Sequence, residues 1–266
     1  MNINFFKTTV FQIKKRFPFL HYVSIFHVIG SLILLVLIQF DDRQLTGVNV
    51  WIKPLKFLTS TFILLWTIGW YLMKYPFWEK SKSVIAFSLT ILLSLENILI
   101  TYQASRGVKS HYNVETFWDA AIFQTMGIAI GFITLFMFWF LIKSFSPKLN
   151  ASTTMKWGFR IAWIALLFGT AIGGSAMIGQ NAHAVGVADG GEGIPALNWS
   201  TEGGDYRIAH FLGLHAIQII PLTIYFFQEK ITSKNLSKLL SYGFSLLYLA
   251  WIVFTFYQAK SGKPLF

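Results

Sequence analysis

The sequence predicts an all-α protein, a polytopic membrane bundle of seven transmembrane helices. The first observation is composition: the 266 residues are 55% hydrophobic and only 12% charged, whereas soluble domains have about 25% charged residues. The second is a mean hydropathy of +0.56. The third is a set of seven apolar windows, each near the ~20 residues that a helix needs to cross a bilayer. They lie at about 20–40, 52–73, 84–104, 118–142, 157–178, 207–227 and 239–258.

Little sequence lies outside these windows, so we expect one integral membrane domain over residues 1–266. The amphiphilic N-terminal segment lacks a small-residue cleavage site, and we expect the first window to stay as an anchor. Without cysteine there are no disulfides and no thiolate ligands. The net charge of +11 does not indicate nucleic-acid binding, because the cations lie in short loops between apolar windows.

Charge fixes the predicted orientation. Fourteen of the 22 basic residues and two of the eleven acidic ones lie on the side of the N-terminal segment, in alternate connections and, for Arg160, one turn into the fifth window. The positive-inside rule places this side in the cytoplasm. The N-terminus is then cytoplasmic and the C-terminus extracytoplasmic, in a multi-pass protein of the plasma (inner) membrane.

The third window is apolar except for Glu96, which lies about 12 Å below the predicted outer interface at 1.5 Å per residue. A carboxylate at that depth is costly unless it is paired, so intramembrane acids indicate function. The second window opens with Lys53 and Lys56, which oppose both the helix dipole and the positive-inside trend. We expect an anionic partner for them, either Glu96, Asp119 or a bound group, and Lys56 is the better candidate because Lys53 can reach the headgroups.

The fourth window opens with Asp119, close to Arg106 in the preceding outer loop. These two could form an ordinary ion pair, or Asp119 could simply favour the helix dipole. The glycines of the fifth window keep a spacing typical of close helix packing. The seventh window has no ionisable mid-membrane lysine, which excludes a retinal protein.

Two outer loops, 105–117 and 179–206, are expected to fold as a cap over the bundle. The second is long and glycine-rich, and its apolar residues argue against disorder. His111 and His183 lie in these loops, and His210 and His215 lie in the outer half of the sixth window. Histidine is the commonest metal ligand, so we predict these four as metal ligands, with hydrogen-bonded packing as the alternative for each of them.

The leading hypothesis is an intramembrane enzyme that acts on a lipid or another apolar small molecule. Its catalytic residues would be Glu96, Lys56, Arg106 and Asp119, with zinc or iron held by His111, His183, His210 and His215. One alternative is a b-type haem or quinone protein. The other is a proton- or ion-coupled transporter or sensor, which ranks lower because polar residues are expected to become sparse toward the cytoplasmic half. The lipid bilayer is the expected surrounding partner.

Overall fold

The computed structural model describes residues 3–266, and it confirms the all-α bundle. Seven helical segments are long and apolar enough to cross a membrane; six cover a predicted window, and the first ends at Leu37, inside the window predicted at 20–40. The chain is therefore a multi-pass integral membrane protein. The spanning helices are α2 (Pro18–Leu37), α3 (Ile52–Lys74), α4 (Glu79–Ser105), α5 (Phe117–Ser144), a segment that begins with α6 (Thr153–Ala171), α8 (Tyr206–Lys230) and α9 (Lys234–Lys260).

Shorter elements complete the fold. Helix α1 (Ile3–Arg16) precedes the first span, and α6 continues through a π-helical turn (Ile172–Met177) into α7 (Ile178–Gln180). Strands β1 (Gln44–Leu45) and β2 (Val48–Asn49) form one antiparallel hairpin, and β3 (Ala184–Val185) pairs antiparallel with β4 (Gly204–Asp205). None of these four strands was predicted, because two-residue strands leave no periodic pattern in a sequence.

The chain divides into two compact units, Met1–Phe136 and Met137–Phe266, with the boundary inside α5. In the first unit α3 packs against both α2 and α4. Leu34, Val50, Trp51 and Ala104 form a buried apolar cluster that joins the ends of these three helices. This cluster fixes the segment from which the candidate site is built.

In the second unit α8 packs against both α6 and α9. Two glycines allow the closest approach: a Cβ added to Gly213 would lie 2.6 Å from the Cα of Gly169. The small-residue spacing of the fifth window therefore serves helix packing, as predicted.

The long loop of the second unit is folded. Strands β3 and β4 close its two ends, and Gly193 pairs with Ser200 in an isolated bridge. The Asp205 side chain accepts a hydrogen bond from the Ser200 amide at 2.8 Å. Whether this loop and loop 105–117 together cap a single domain stays a prediction.

Candidate functional site

Glu96 is the buried acid of the first unit. It lies in the apolar helix α4 and is only 5% exposed. Its Oε1 is 4.0 Å from His111 Nε2, which is too long for a direct hydrogen bond. The predicted buried carboxylate thus lies beside a predicted histidine, without a direct hydrogen bond between the two side chains.

His111 is held from its other side by Lys53. The Lys53 Nζ lies 3.3 Å from His111 Nδ1, and the Ser110 hydroxyl lies 3.1 Å from the same nitrogen. An ammonium group donates hydrogen bonds and cannot accept them, so Nδ1 is the acceptor. The ring proton of a neutral His111 then lies on Nε2, facing Glu96.

Aromatic rings enclose the imidazole. The rings of Phe57, Tyr112 and Phe123 have centroids 6.0 to 6.3 Å from that of His111. They form an apolar wall in which the charges of Glu96 and Lys53 are weakly screened. We call Glu96, His111 and Lys53 the Glu96 site.

A hydrogen-bonded network of Asp41, Arg43 and Trp51 precedes Lys53 at the start of α3. The Asp41 carboxylate pairs with the Arg43 guanidinium at 2.7 Å and accepts a hydrogen bond from the Trp51 indole at 2.8 Å. Arg43 also donates to the carbonyl of Ser105 at the end of α4, at 2.9 Å. The hydrogen bonds from Arg43 hold the pKa of Asp41 well below its ordinary value. The pair of Asp41 and Arg43 therefore remains charged over the physiological pH range.

Arg106 and Asp119 form an ion pair, one of the two possibilities that their sequence positions raised. The Asp119 carboxylate accepts hydrogen bonds from Arg106 at 2.6 Å, Gln103 at 2.8 Å and Thr116 at 2.6 Å. The hydrogen bond to Asp119 raises the pKa of Arg106 above its ordinary value. This network ties the end of α4 to the start of α5, and the catalytic roles of Arg106 and Asp119 stay predictions.

Lys56 lies half-buried, one turn beyond Lys53 on α3. The sequence favoured Lys56 as the partner of an anion, whereas the structure places Lys53 beside His111. The catalytic role of Lys56 stays a prediction. Sequence reasoning underrated Lys53 because it assumed that a lysine near a helix end extends to the headgroups.

The second unit contains the other three predicted metal ligands. The Nδ1 of His183 is 2.6 Å from Asp189 Oδ2, and the Nδ1 of His210 is 2.7 Å from the carbonyl oxygen of Gly169. His215 lies against the ring of Phe211, with centroids 4.4 Å apart. The His210 ring also covers Gly173 in the π-helical turn, where an added Cβ would lie 2.7 Å from Cε1.

Asp189 organises the start of the long loop. Its carboxylate accepts hydrogen bonds from the amides of His183 and Ala184 as well as contacting the His183 ring. Burial opposes ionisation, but the hydrogen bonds from His183 and Ala184 prevail and lower the pKa of Asp189 well below its ordinary value. Asp189 is thus bound inside its own loop and does not extend toward a cation.

The predicted metal centre has no supporting ligand group. Over residues 3–266, no three side chains of His, Cys, Asp or Glu are arranged to hold a metal ion. His111 belongs to the first unit, and His183, His210 and His215 belong to the second. Zinc, iron and haem therefore stay predictions of the sequence.

Sequence reasoning missed a buried polar row on α2. His21, Ser24, His27 and Ser31 are each at most 8% exposed. Their spacing of three, three and four residues places them on one helical face. This spacing was the available signal, and the expectation that polar residues become sparse toward the cytoplasmic half stays a prediction.

Comparison of the chain with protein-family models, with curated proteins and with solved structures found no match.

Proposed function

We propose that the protein is a membrane enzyme that uses Glu96 and His111 as an acid–base pair on a lipid or another apolar substrate. One observation carries this proposal: a 5%-exposed carboxylate in an apolar helix lies 4.0 Å from an imidazole that a lysine holds on its far side. Positioned carboxylates and imidazoles are the commonest groups for proton transfer, and their contacts often tighten only when the substrate binds.

The roles follow from the geometry. The proton on His111 Nε2 faces Glu96 Oε1, so a substrate group placed between them would exchange a proton with either residue. Lys53 stabilises negative charge that develops there, and its charge is effective because the aromatic rings around His111 screen it less than water would. No step requires a metal ion. Arg106 is already engaged by Asp119, so we assign that pair to positioning the ends of α4 and α5.

The test compares lipid turnover by purified wild-type protein and by Glu96→Gln and His111→Gln variants. Each is incubated in detergent with total lipid from its native membrane, and products are identified by mass spectrometry. We expect wild-type protein to convert one lipid class and both variants to lose about 100-fold or more of that rate. Glu115→Gln, which changes an exposed acid in the same loop, should retain full activity.

Two outcomes contradict the enzyme proposal. In one, the wild-type protein converts no lipid class. In the other, Glu96→Gln converts lipid as fast as wild type while its melting temperature shows that it is folded.

A second candidate function, proton-coupled transport, is favoured by the polar row on α2. Intramembrane polar side chains commonly mark proton paths. Four buried atoms of the same unit have no hydrogen-bond partner among the described residues, namely His21 Nδ1, Trp66 Nε1, Ser94 Oγ and Asn97 Oδ1. Buried unpaired polar atoms of this kind are usual places for internal water. The His21 ring stacks on Trp66, with centroids 5.8 Å apart.

This candidate is tested in liposomes that contain a pH-sensitive dye. An imposed potassium gradient with valinomycin would drive protons inward through wild-type protein, and His27→Phe should reduce that flux strongly. Ser245→Ala, which changes a buried hydroxyl on α9, serves as the control. Flux equal to that of empty liposomes would contradict a continuous proton path along α2 and leave the enzyme proposal unaffected.

A further inference from the structure

A cavity of about 600 Å³ lies between α1 and the end of α3 in the first unit. Its polar lining comes from Thr8, Thr9, Gln12 and Arg16 of α1 and from Lys74 of α3, and Trp70 is among its apolar walls. Lys53 and Lys74 lie 21 residues apart on α3, a separation of about 31 Å along the helix. The cavity is therefore remote from the Glu96 site, and neither proposed function uses it.

The charge of the lining is one-sided. Arg16 and Lys74 contribute two cations, and none of the residues that form the cavity is acidic. The nearest identified acid is Glu79, close enough to Arg16 to interact electrostatically. Glu79 is already paired with Lys82 at 2.7 Å and is 78% exposed. It therefore does not neutralise the two cations of the cavity.

The location of the cavity suggests its ligand. α1 carries three further basic residues, Lys7, Lys14 and Lys15, while Phe6 and Phe11 on the same helix are 42% and 61% exposed. A short helix with both features lies in the interface between headgroups and acyl chains. Trp70 is of the residue type enriched at that depth. The cavity thus opens where lipid phosphates lie.

We propose that this cavity binds the phosphate group of an anionic phospholipid. The Arg16 guanidinium offers a planar fork of donors that matches phosphate oxygens, and Lys74 adds a second point charge. Gln12 and the two threonines supply neutral hydrogen bonds. Basic pockets between membrane helices bind anionic headgroups for these physical reasons. The bound lipid would hold α1 against the end of α3.

The test measures binding of dioctanoyl phosphatidylglycerol to the full-length protein in detergent by native mass spectrometry. We expect the wild-type protein to bind this lipid. The Arg16→Gln/Lys74→Gln double variant should bind it on the order of tenfold more weakly than wild type, or not at all. Dioctanoyl phosphatidylcholine should bind no more tightly to wild type than to the variant. The Lys234→Gln/Lys238→Gln double variant removes two exposed cations elsewhere and should bind phosphatidylglycerol normally.

A second arm uses inorganic phosphate as a competitor. Displacement of phosphatidylglycerol at millimolar phosphate would show that the phosphate group alone is recognised. Displacement only by a competing lipid would show that the acyl chains also contribute to binding. Melting temperatures establish that each variant is folded. A Lys74→Arg variant, which preserves the charge that Lys74→Gln removes, should bind phosphatidylglycerol as the wild-type protein does. Equal binding of phosphatidylglycerol by wild type and the Arg16→Gln/Lys74→Gln variant overturns the proposal, whatever the outcome for lipid turnover.

Discussion

Glu96 combines an unfavourable position with an incomplete set of contacts. Burial of a carboxylate costs several kcal/mol of free energy unless a partner compensates it, and His111 lies 4.0 Å away. Residues retained for function at the expense of stability often have this character. Glu96 can therefore be distinguished from a packing residue by measuring stability and activity on the same variant.

We expect Glu96→Gln to leave the free energy of unfolding within about 1 kcal/mol of wild type, or to raise it, because the substitution removes a buried charge and preserves shape. The measurement is a thermal or denaturant melt in mild detergent, taken beside the turnover assay. A loss of several kcal/mol would show instead that the carboxylate stabilises helix packing.

Asp189 gives the long loop a pH dependence. Its pKa in the folded protein lies below the ordinary value of about 4, so its stabilisation is complete above about pH 4 and is lost as pH falls through the lower folded value. Hydrogen exchange of residues 181–190, corrected for intrinsic rates, should show protection at pH 6 that decreases in strong acid. Asp189→Asn should reduce protection at pH 6 and make little difference in strong acid, where the wild-type carboxylate is protonated.

Glu192→Gln provides the control for that experiment. Glu192 is an exposed acid of the same loop, and its replacement should leave exchange unchanged. If Asp189→Asn exchanges as slowly as wild type at pH 6, the carboxylate does not hold the loop.

Residue types and spacing predicted some of these features and missed others. Glu96 was predicted as a functional residue because one acid in an apolar window is conspicuous, but its proximity to His111 was not predicted. The contact of Lys53 with His111 depends on how loop 105–117 folds back, which a one-dimensional pattern does not contain. The histidines of the second unit looked like ligands, but the structure places His210 against a backbone carbonyl, His183 against a carboxylate and His215 against a phenyl ring.

At the scale of elements, hydropathy located all seven spans because the bilayer imposes length and composition together. It could not locate the π-helical turn at Ile172–Met177. A single wide turn changes backbone hydrogen bonds without changing the apolar character of the sequence.

The crossing of α6 and α8 depends on Gly213. We expect Gly213→Ala to destabilise the protein by about 1–3 kcal/mol, because the added methyl group would lie within van der Waals distance of backbone atoms at Gly169 and Ala165. The measurement is the shift of the unfolding midpoint in detergent. Gly243→Ala on α9 meets no atom within 4 Å and should be neutral or slightly stabilising, since alanine is the better helix former.

At the scale of the whole molecule, the predicted orientation can be tested cleanly because the chain has no cysteine. Single cysteines at exposed positions would be labelled in intact cells with a membrane-impermeant maleimide. We expect labelling at Glu115→Cys and Ser261→Cys, and protection at Asn150→Cys and Ser233→Cys until the membrane is permeabilised. The reverse pattern would invert the topology, and a mixed pattern would contradict seven crossings.

The contact between Gly204 and the end of α9 has a consequence for how this protein is handled. A Cβ on Gly204 would overlap the carbonyl of Ala259, and a Cβ on Gly186 would lie 3.5 Å from the carbonyl oxygen of Gly262. The segment from Ala259 to Gly262 thus packs against the loop that β3 and β4 close.

Removal of residues 259–266 should therefore expose loop 179–206 to proteolysis, even though the deletion lies more than fifty residues away in sequence. Limited digestion with detection of the cleavage site measures this, and extension beyond Phe266, which is 64% exposed, should leave the loop resistant. An expression tag that replaces the final residues would act as a distant loop mutation, whereas one appended after them would not.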